Sequence, residues 1–254
     1  MAYTCVVTGA TGFVGSELCK QLLERGWNVR ACVRDTTNAR RVDPLLRLAA
    51  ALPGSLRLIE CDLLSENSFH EACAGVQYVF HVASPFFFGT TEPQRDIVEP
   101  AVQGTRNVML ACAATKSSLR RVVLTSSVAG ECCEVLRASV PSGVPSLADA
   151  PCPVLTAVKG NAGAAPPLNG KLYTEEDWNE TSSVASGEAY WASKTLAEKL
   201  AWTLAKEHEL DLVTVLPNFI MGDSRLKFSS LPARAYACAF QFSSRRPCAL
   251  CGSA

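Results

Sequence analysis

Short apolar runs rich in β-branched residues alternate along most of the chain with longer segments of helical periodicity. The short runs, each of which predicts a β-strand, are Tyr3–Thr8, Asn28–Arg34, Leu56–Glu60, Val76–Val82, Arg121–Thr125 and Leu212–Leu216. The clearest helical patterns cover Arg95–Lys116 and the stretch from Ala189 through Lys199. Alternation of strand and helix is typical of an α/β fold, a doubly wound parallel sheet with helices on both faces that binds ligands at the carboxyl ends of its strands.

The alternation breaks in two places. Residues Glu134–Asn169 are rich in Ala, Pro, Gly and Ser and show neither helical nor strand periodicity, which predicts a long inserted loop. After Asp223 the chain again has no clear period. We therefore predict one dinucleotide-binding domain over residues 1–223, with 134–169 as the loop, followed by an irregular tail over residues 224–254.

The composition narrows the class of protein. The chain has 254 residues, 48% of them hydrophobic, which suits one globular domain or one domain and part of a second. Lys+Arg and Asp+Glu both number 24, so the balanced charge argues against a broad nucleic-acid or acidic-membrane surface. No basic and apolar leader precedes Tyr3, and no apolar run approaches the roughly 18 residues that span a bilayer. These features predict a cytoplasmic protein with neither a membrane nor a nucleic acid as partner.

Cysteine usage does not suggest a disulfide framework. Six cysteines fall in or beside predicted strands and helices, which predicts small, reduced core residues: Cys5, Cys19, Cys32, Cys61, Cys73 and Cys112. Cys248 and Cys251 form a CxxC pair in the tail, with Cys238 nearby and no histidine. That set is a poor match to a zinc site, so no metal is predicted.

A glycine-rich turn separates the first strand from the first helix. Gly9 permits the tight turn, Gly12 allows the backbone to approach a pyrophosphate, and Gly15 allows close packing of helix on strand. The helix that follows offers backbone N–H groups and a favourable dipole to an anion. In this position the three glycines predict a dinucleotide site.

The end of the second strand bears on which dinucleotide binds. Arg34 could pair with a 2′-phosphate and Asp35 with a ribose hydroxyl, and Arg40 and Arg41 follow closely. Bidentate pairing of arginine with phosphate favours NADP(H), although NAD(H) remains possible and a solvated basic helix face is the plain alternative. Asp62, at the end of the third strand, lies where an adenine amino group could be met.

Tyr190 and Lys194 stand four residues apart in a predicted helix, so their side chains share one face. An ammonium about 5 Å from a phenol would lower the phenol pKa by roughly two units, which predicts a proton donor or acceptor. This spacing is common on surface helices, so it gains weight only beside other motifs. One such motif is Thr125-Ser126-Ser127 after the fifth strand, whose hydroxyls could polarise a carbonyl or simply cap the strand. His81 lies in an apolar run, which favours a core or near-cofactor role over that of a base.

Taken together, these motifs resemble extended short-chain dehydrogenase/reductases, and most closely the group of dihydroflavonol 4-reductases and cinnamoyl-CoA reductases. The resemblance covers residues 1 to about 131 and about 172 to 223. It is carried by Thr8-Gly9-Ala10-Thr11-Gly12-Phe13-Val14-Gly15, Val33-Arg34-Asp35, Asp62-Leu63, Phe80-His81-Val82-Ala83-Ser84-Pro85, Thr125-Ser126-Ser127 and Tyr190-Trp191-Ala192-Ser193-Lys194-Thr195-Leu196-Ala197-Glu198.

The resemblance implies an NADP(H)-dependent oxidoreductase acting on the carbonyl or alcohol of a small molecule, with Ser127, Tyr190 and Lys194 as the catalytic triad. The residues that it implies for the cofactor are Gly9, Gly12, Phe13, Val14, Gly15, Arg34, Arg41, Asp62, Leu63, Ala83, Tyr190, Lys194 and Pro217. Ser127 is chosen over Ser126 because the second serine of the pair is the catalytic one in the family.

The sequence departs from the family in two respects. The separation between Ser127 and Tyr190 is longer than usual, and the likeness ends after Asp223, where family members continue into a substrate lobe. We therefore expect an incomplete lobe, and a chain that binds NADP(H) but turns over poorly. A sugar-nucleotide epimerase, a steroid dehydrogenase and a non-catalytic cofactor-binding fragment remain alternatives.

Overall fold

A computed structural model describes residues 2–85, 90–127, 178–217 and 220. The predicted loop over 134–169, the tail over 224–254 and the Cys248 and Cys251 pair lie outside the described residues. The strands are β1 (Thr4–Thr8), β2 (Asn28–Val33), β3 (Ser55–Glu60), β4 (Tyr78–His81), β5 (Arg121–Thr125) and β6 (Leu212–Val215). The helices are α1 (Phe13–Glu24), α2 (Ala39–Ala50), α3 (His70–Cys73), α4 (Glu99–Ala114) and α5 (Ala189–Glu207), with a π-helical turn over Gln94–Val98.

The strands form one parallel sheet in the order β3-β2-β1-β4-β5-β6. The central strands β1 and β4 are almost wholly buried, as expected for strands covered by helices on both faces. The order changes direction between β1 and β4, which makes a crevice at their carboxyl ends. The predicted α/β fold is confirmed, and strand boundaries differ from the predictions by two residues at most.

One predicted helix divides in two. The periodicity over Arg95–Lys116 predicts a single helix, but the chain winds as a π-helical turn over Gln94–Val98 before α4 begins. Pro100 has no N–H to donate to the Asp96 carbonyl, and its ring crowds that oxygen, so a regular α-helical turn is disfavoured there. The wider turn packs against α5 and places Ile97 and Val98 beside the start of that helix.

Two hydrophobic clusters cover the two faces of the sheet. One joins β1 and β2 to α1 and α2, and the other joins the sheet to α3, α4 and α5. Cys5 and Cys19 lie in the first cluster, and Cys73 and Cys112 lie in the second. All six cysteines predicted as core residues are buried with free thiols. Among the described residues, no helix is long and apolar enough to cross a membrane.

Candidate active site

The glycine turn brings the ends of β1 and β4 together in the crevice. Gly9 adopts a positive φ of 66°, and a side chain there would meet the backbone of Ala83, beyond β4, at 3.1 Å. A Cβ on Gly15 would lie 2.2 Å from the Gly9 carbonyl oxygen, so only glycine fits. Gly12 precedes α1 and offers no capping side chain, which leaves the amino end of that helix facing the crevice.

Thr8 ties the glycine turn to the end of β4. Its hydroxyl oxygen accepts hydrogen bonds from the backbone N–H groups of Val82 (3.0 Å) and Ala83 (2.9 Å). With both lone pairs engaged, the hydroxyl proton is left for Nδ1 of His81, at 2.9 Å. This arrangement selects the tautomer of His81 that carries its proton on Nε2, which lies 3.4 Å from the Thr105 hydroxyl.

His81 is held neutral in this position. Full burial, with a further effect of the Lys194 charge, lowers its pKa to about 3. The histidine is therefore a satisfied core residue next to the site, as the apolar run around it predicts.

Tyr190, Lys194 and Ser127 come together where α5 passes the end of β5. The Ser127 side chain is hydrogen-bonded to the Tyr190 hydroxyl, and Lys194 Nζ lies 5.7 Å from the centre of the Tyr190 ring. Lys194 and Ser127 are buried, and Tyr190 is half-buried. The structure thus assembles the three residues of the predicted triad, although the long segment between Ser127 and Tyr190 separates them in sequence.

The electrostatics of the pair differ from the expectation based on spacing. Burial raises the pKa of the Tyr190 phenol, and the hydrogen bond from Ser127 opposes that effect without cancelling it. The predicted net lowering of the Tyr190 pKa is therefore wrong for this structure, because desolvation of the half-buried ring has the largest effect on it. Burial also lowers the pKa of Lys194 to about 8, while the Glu198 carboxylate acts in the opposite direction.

Ser126 faces away from Tyr190. Its hydroxyl donates to Oε2 of Glu198 at 2.5 Å, whereas Ser127 pairs with Tyr190. The two adjacent serines thus bond different residues of α5. Ser126 N also donates to the Val215 carbonyl oxygen at 2.9 Å, which brings the end of β6, and Pro217 two residues later, to this edge of the sheet.

The predicted adenine side of the site is a turn after β3. The Asp62 carboxylate accepts from the Leu64 backbone N–H at 2.8 Å. Asn107 of α4 donates to the Leu63 carbonyl oxygen at 2.8 Å, and a Cβ on Gly104 would lie 2.7 Å from the Leu63 side chain. Helix α4 therefore packs against this turn and holds it in place.

The basic residues at the end of β2 lie on the rim. Arg34, Arg40 and Arg41 are exposed. Asp35 accepts from both the backbone N–H (2.8 Å) and the hydroxyl (2.6 Å) of Thr37, and these bonds lower its pKa. The carboxylate that could bind a ribose hydroxyl is thus engaged within its own loop. Phe13 and Val14 lie at the start of α1 with Phe13 exposed towards solvent.

Three residues of this site were not predicted from the sequence. Glu198, Thr8 and Thr105 are all buried and hydrogen-bonded around His81 and the triad. Glu198 had a detectable signal, since it follows Lys194 by four residues and so places an acid on the buried face of a helix. The threonines had none, because only the tertiary fold brings them to His81.

Comparison with known proteins places these features in context. The sequence model of the NAD dependent epimerase/dehydratase family matches residues 5–144. An anthocyanidin reductase ((2S)-flavan-3-ol-forming) of Vitis vinifera is 37% identical over 225 residues, which are 87% of this chain and 57% of the relative. A dihydroflavonol 4-reductase of Zea mays is 37% identical over 223 residues, which are 86% of this chain and 53% of the relative.

A solved structure agrees with these relatives. Gre2 of Candida albicans in complex with NADPH superimposes with a TM-score of 0.63 at 29% identity, and the match covers 87% of this chain and 59% of that protein. The chain thus spans little more than half the length of the relatives it matches.

Proposed function

This chain belongs to the NAD dependent epimerase/dehydratase family, and from that membership and the site geometry we propose that it is an NADP(H)-dependent reductase. Its substrate is the carbonyl group of a small polyphenol or phenylpropanoid, as in a dihydroflavonol or a hydroxycinnamoyl thioester. The reductases among its relatives support this substrate class. The Rossmann-type sheet and the glycine turn support the cofactor class.

The observation that carries the proposal is the assembly of Tyr190, Ser127 and Lys194 at the carboxyl edge of the sheet. The phenol is hydrogen-bonded to a serine hydroxyl, and a buried lysine lies over the same ring. Because burial raises the Tyr190 pKa, the phenol carries its proton, which is the form that a carbonyl reduction consumes. A surface helix with the same spacing would have neither the burial nor the serine.

The residues around the crevice fit a dinucleotide. Gly9, Gly12 and Gly15 pack the turn so closely on itself and on Ala83 that side chains would collide there, and the amino end of α1 faces the crevice beside this turn. Phe13 and Val14 would flank the pyrophosphate, and Asp62 and Leu63 the adenine. Ala83, Lys194 and Pro217 would lie along the nicotinamide side, while Arg34 and Arg41 would hold a 2′-phosphate.

The residues of the triad divide the chemistry. NADPH, when bound, supplies the hydride. Ser127 orients the carbonyl oxygen and Tyr190 gives it a proton. Lys194 would hold the nicotinamide ribose and, as a cation, would favour the phenolate that remains after the proton has left. General acid catalysis of this kind contributes roughly 10²- to 10⁴-fold in rate.

Replacement of Tyr190 by Phe tests the assignment directly. The ring keeps its packing and loses only the hydroxyl, so we expect NADPH to bind within about twofold of the original affinity while turnover falls by about 10² or more. NADPH fluorescence gives the dissociation constant, and NADPH absorbance with a dihydroflavonol or hydroxycinnamoyl thioester gives the rate.

Tyr3→Phe is the matched control. Tyr3 packs against Trp27 and Tyr78 at the amino edge of the sheet, away from the crevice. Both constants should stay near those of the unmodified chain. Full turnover in Tyr190→Phe would remove the phenol from the mechanism. Failure of the unmodified chain to reduce any such carbonyl, with NADPH bound, would support a binding role alone.

A further inference from the structure

Glu198 is a buried carboxylate that the triad chemistry does not use. It lies on α5, one turn beyond Lys194 and two turns beyond Tyr190, so the three side chains follow one another along a single helix face. Its side chain is 2% exposed. A carboxylate at this depth is costly unless its oxygens are bonded and its charge is compensated.

Both carboxylate oxygens of Glu198 have donors. The Ser126 hydroxyl donates to Oε2 at 2.5 Å, and the indole N–H of Trp202 donates to Oε1 at 3.3 Å. The first bond ties α5 to the end of β5. Because Ser126 is the neighbour of Ser127 in the chain, this bond fixes the strand end from which Ser127 reaches Tyr190.

The charge of Glu198 acts on Lys194. Both residues line a small cavity together with His81, Thr105, Thr125 and Ser126. Two other titratable groups face Lys194. His81 on β4 is neutral at working pH, and Tyr190 keeps its proton because burial raises its pKa, so neither group carries a charge. Glu198 does carry a negative charge, and it opposes the effect of burial on the lysine.

Within the described parts of the chain, the other elements packed against α5 present little charge to this cavity. The α4 residue that lines it is Thr105, whose side chain is uncharged. In the π-helical turn, Arg95 and Asp96 pair with each other at 2.8 Å. On α5 itself, Lys199 pairs with Glu180 at 3.5 Å.

We propose that Glu198 is a positioning residue that keeps Lys194 in its cationic form and anchors Ser126, so that Ser127 meets Tyr190. The inference rests on the proposed function, since a cationic Lys194 matters there for binding the nicotinamide ribose. Glu198 is hydrogen-bonded to Ser126 and Trp202, and in this proposal it acts through its neighbours on the strand and the helix.

The sign of the expected effect follows from burial. Lys194 is a cation below its pKa of about 8 and loses its charge as the pH rises through that value. In Glu198→Gln the amide oxygen can still accept from Ser126, but the negative charge is gone. The Lys194 pKa then falls further, and the lysine loses its charge at a lower pH.

The test that does not need cofactor is an NMR titration of the Lys194 ammonium. The chain carries lysine labelled with ¹³C at Cε, and the Lys194 signal is assigned by its absence in Lys194→Met. In Glu198→Gln its titration should move to lower pH by about one unit. Glu207→Gln, the same change at an exposed position on the same helix, should leave it unmoved.

The cofactor arm uses NADPH fluorescence from about pH 6 to about pH 9. Glu198→Gln should bind NADPH nearly normally at the acid end, about fivefold more weakly near pH 8 and close to tenfold more weakly near pH 9, as follows from a Lys194 pKa that is about one unit lower. Ser126→Ala keeps the carboxylate, so the Lys194 titration should stay in place while turnover falls. Glu198→Asp keeps the negative charge, so the Lys194 titration should stay near its original pH. This variant can be measured even if Glu198→Gln does not fold.

An unchanged Lys194 titration in folded Glu198→Gln overturns the proposal, as does a shift in Glu198→Asp equal to that in Glu198→Gln. If the unmodified chain binds no NADPH, the proposed function fails, and the NMR titration still decides the role of Glu198.

Discussion

At the scale of single residues, the rim of the site bears on which dinucleotide we expect to bind. The Asp35 carboxylate is hydrogen-bonded to Thr37, whereas Arg34 and Arg41 are exposed beside the end of β2. A ribose hydroxyl would have to displace the bonds of Asp35, but a 2′-phosphate can be met by either arginine without such a loss. The rim therefore favours NADP(H) over NAD(H).

We expect NADPH to bind about tenfold or more tightly than NADH, which corresponds to one charge-assisted hydrogen bond of about 1.5 to 3 kcal/mol. Arg34→Ala should narrow the difference by weakening NADPH alone. Arg47→Ala, an exposed arginine in the last turn of the same helix as Arg41, is the control. Titration of the purified variants with each cofactor measures this, and equal dissociation constants for the two cofactors would contradict the assignment.

Individual residues also show what the sequence could reveal. The glycine turn could be recognised from the sequence because Gly9, Gly12 and Gly15 each meet a separate steric requirement within a few positions of the chain. The direction of the Tyr190 pKa was not, because spacing gives the distance to a charge but not the depth of burial. Desolvation depends on elements that the local sequence does not contain.

At the scale of secondary structure, α4 supports the turn that would hold adenine. Gly104 lies against Leu63, and Asn107, one turn further along, bonds the carbonyl of the same residue. The helix therefore carries two features, three residues apart, that act on one loop. Neither could be assigned from the sequence, because the periodicity of α4 predicts the helix but not the loop that packs on it.

Gly104→Ala tests this contact. In a free helix the change would stabilise by about 1 kcal/mol, but the added methyl group would lie 2.9 Å from Leu63 Cβ, which cannot move without the backbone. Overpacking of this kind costs about 1 to 3 kcal/mol, so we expect a net loss of stability and weaker NADPH binding. Denaturant unfolding measures the first and fluorescence the second.

The double variant Gly104→Ala with Leu63→Ala is the matched comparison. Removing the Leu63 side chain relieves the clash, so the two changes together should cost less than the sum of their separate effects. Additive losses would mean that Gly104 and Leu63 do not share the constraint.

At the scale of the whole molecule, six buried thiols report on the integrity of both faces of the sheet. Burial raises the pKa of Cys5 to about 12. A hydrogen bond with Cys73, together with burial, raises the pKa of Cys112 well above its ordinary value, so neither thiol forms a thiolate in the folded protein. Cys61 differs, since a hydrogen bond from Cys32 lowers its pKa. Alternation of strand and helix predicted the buried positions, but contacts between thiols on different strands could not be read from the sequence.

We expect a thiol-specific alkylating reagent to leave Cys5, Cys19 and Cys112 unmodified under native conditions and to label them only as the domain unfolds. Cys61 should react first among the six, because its lowered pKa lets it form the reactive thiolate most readily. Pulsed alkylation followed by peptide mass spectrometry gives the rate at each site. Native labelling of Cys19 as fast as that of Cys61 would show that the core opens locally.

The pairing of β1 with β4 has a consequence for synthesis on the ribosome. Thr8 and His81, which close the site between these strands, stand 73 residues apart, and Lys194 follows much later. At about 5 to 20 residues per second, the glycine turn waits on the order of ten seconds or more for the helix that completes the crevice. For the first part of that interval, until β4 is synthesised, β1 presents an open edge on that side. While only the amino-terminal half has been synthesised, we therefore expect holding chaperones, and not the cofactor, to protect the exposed strand.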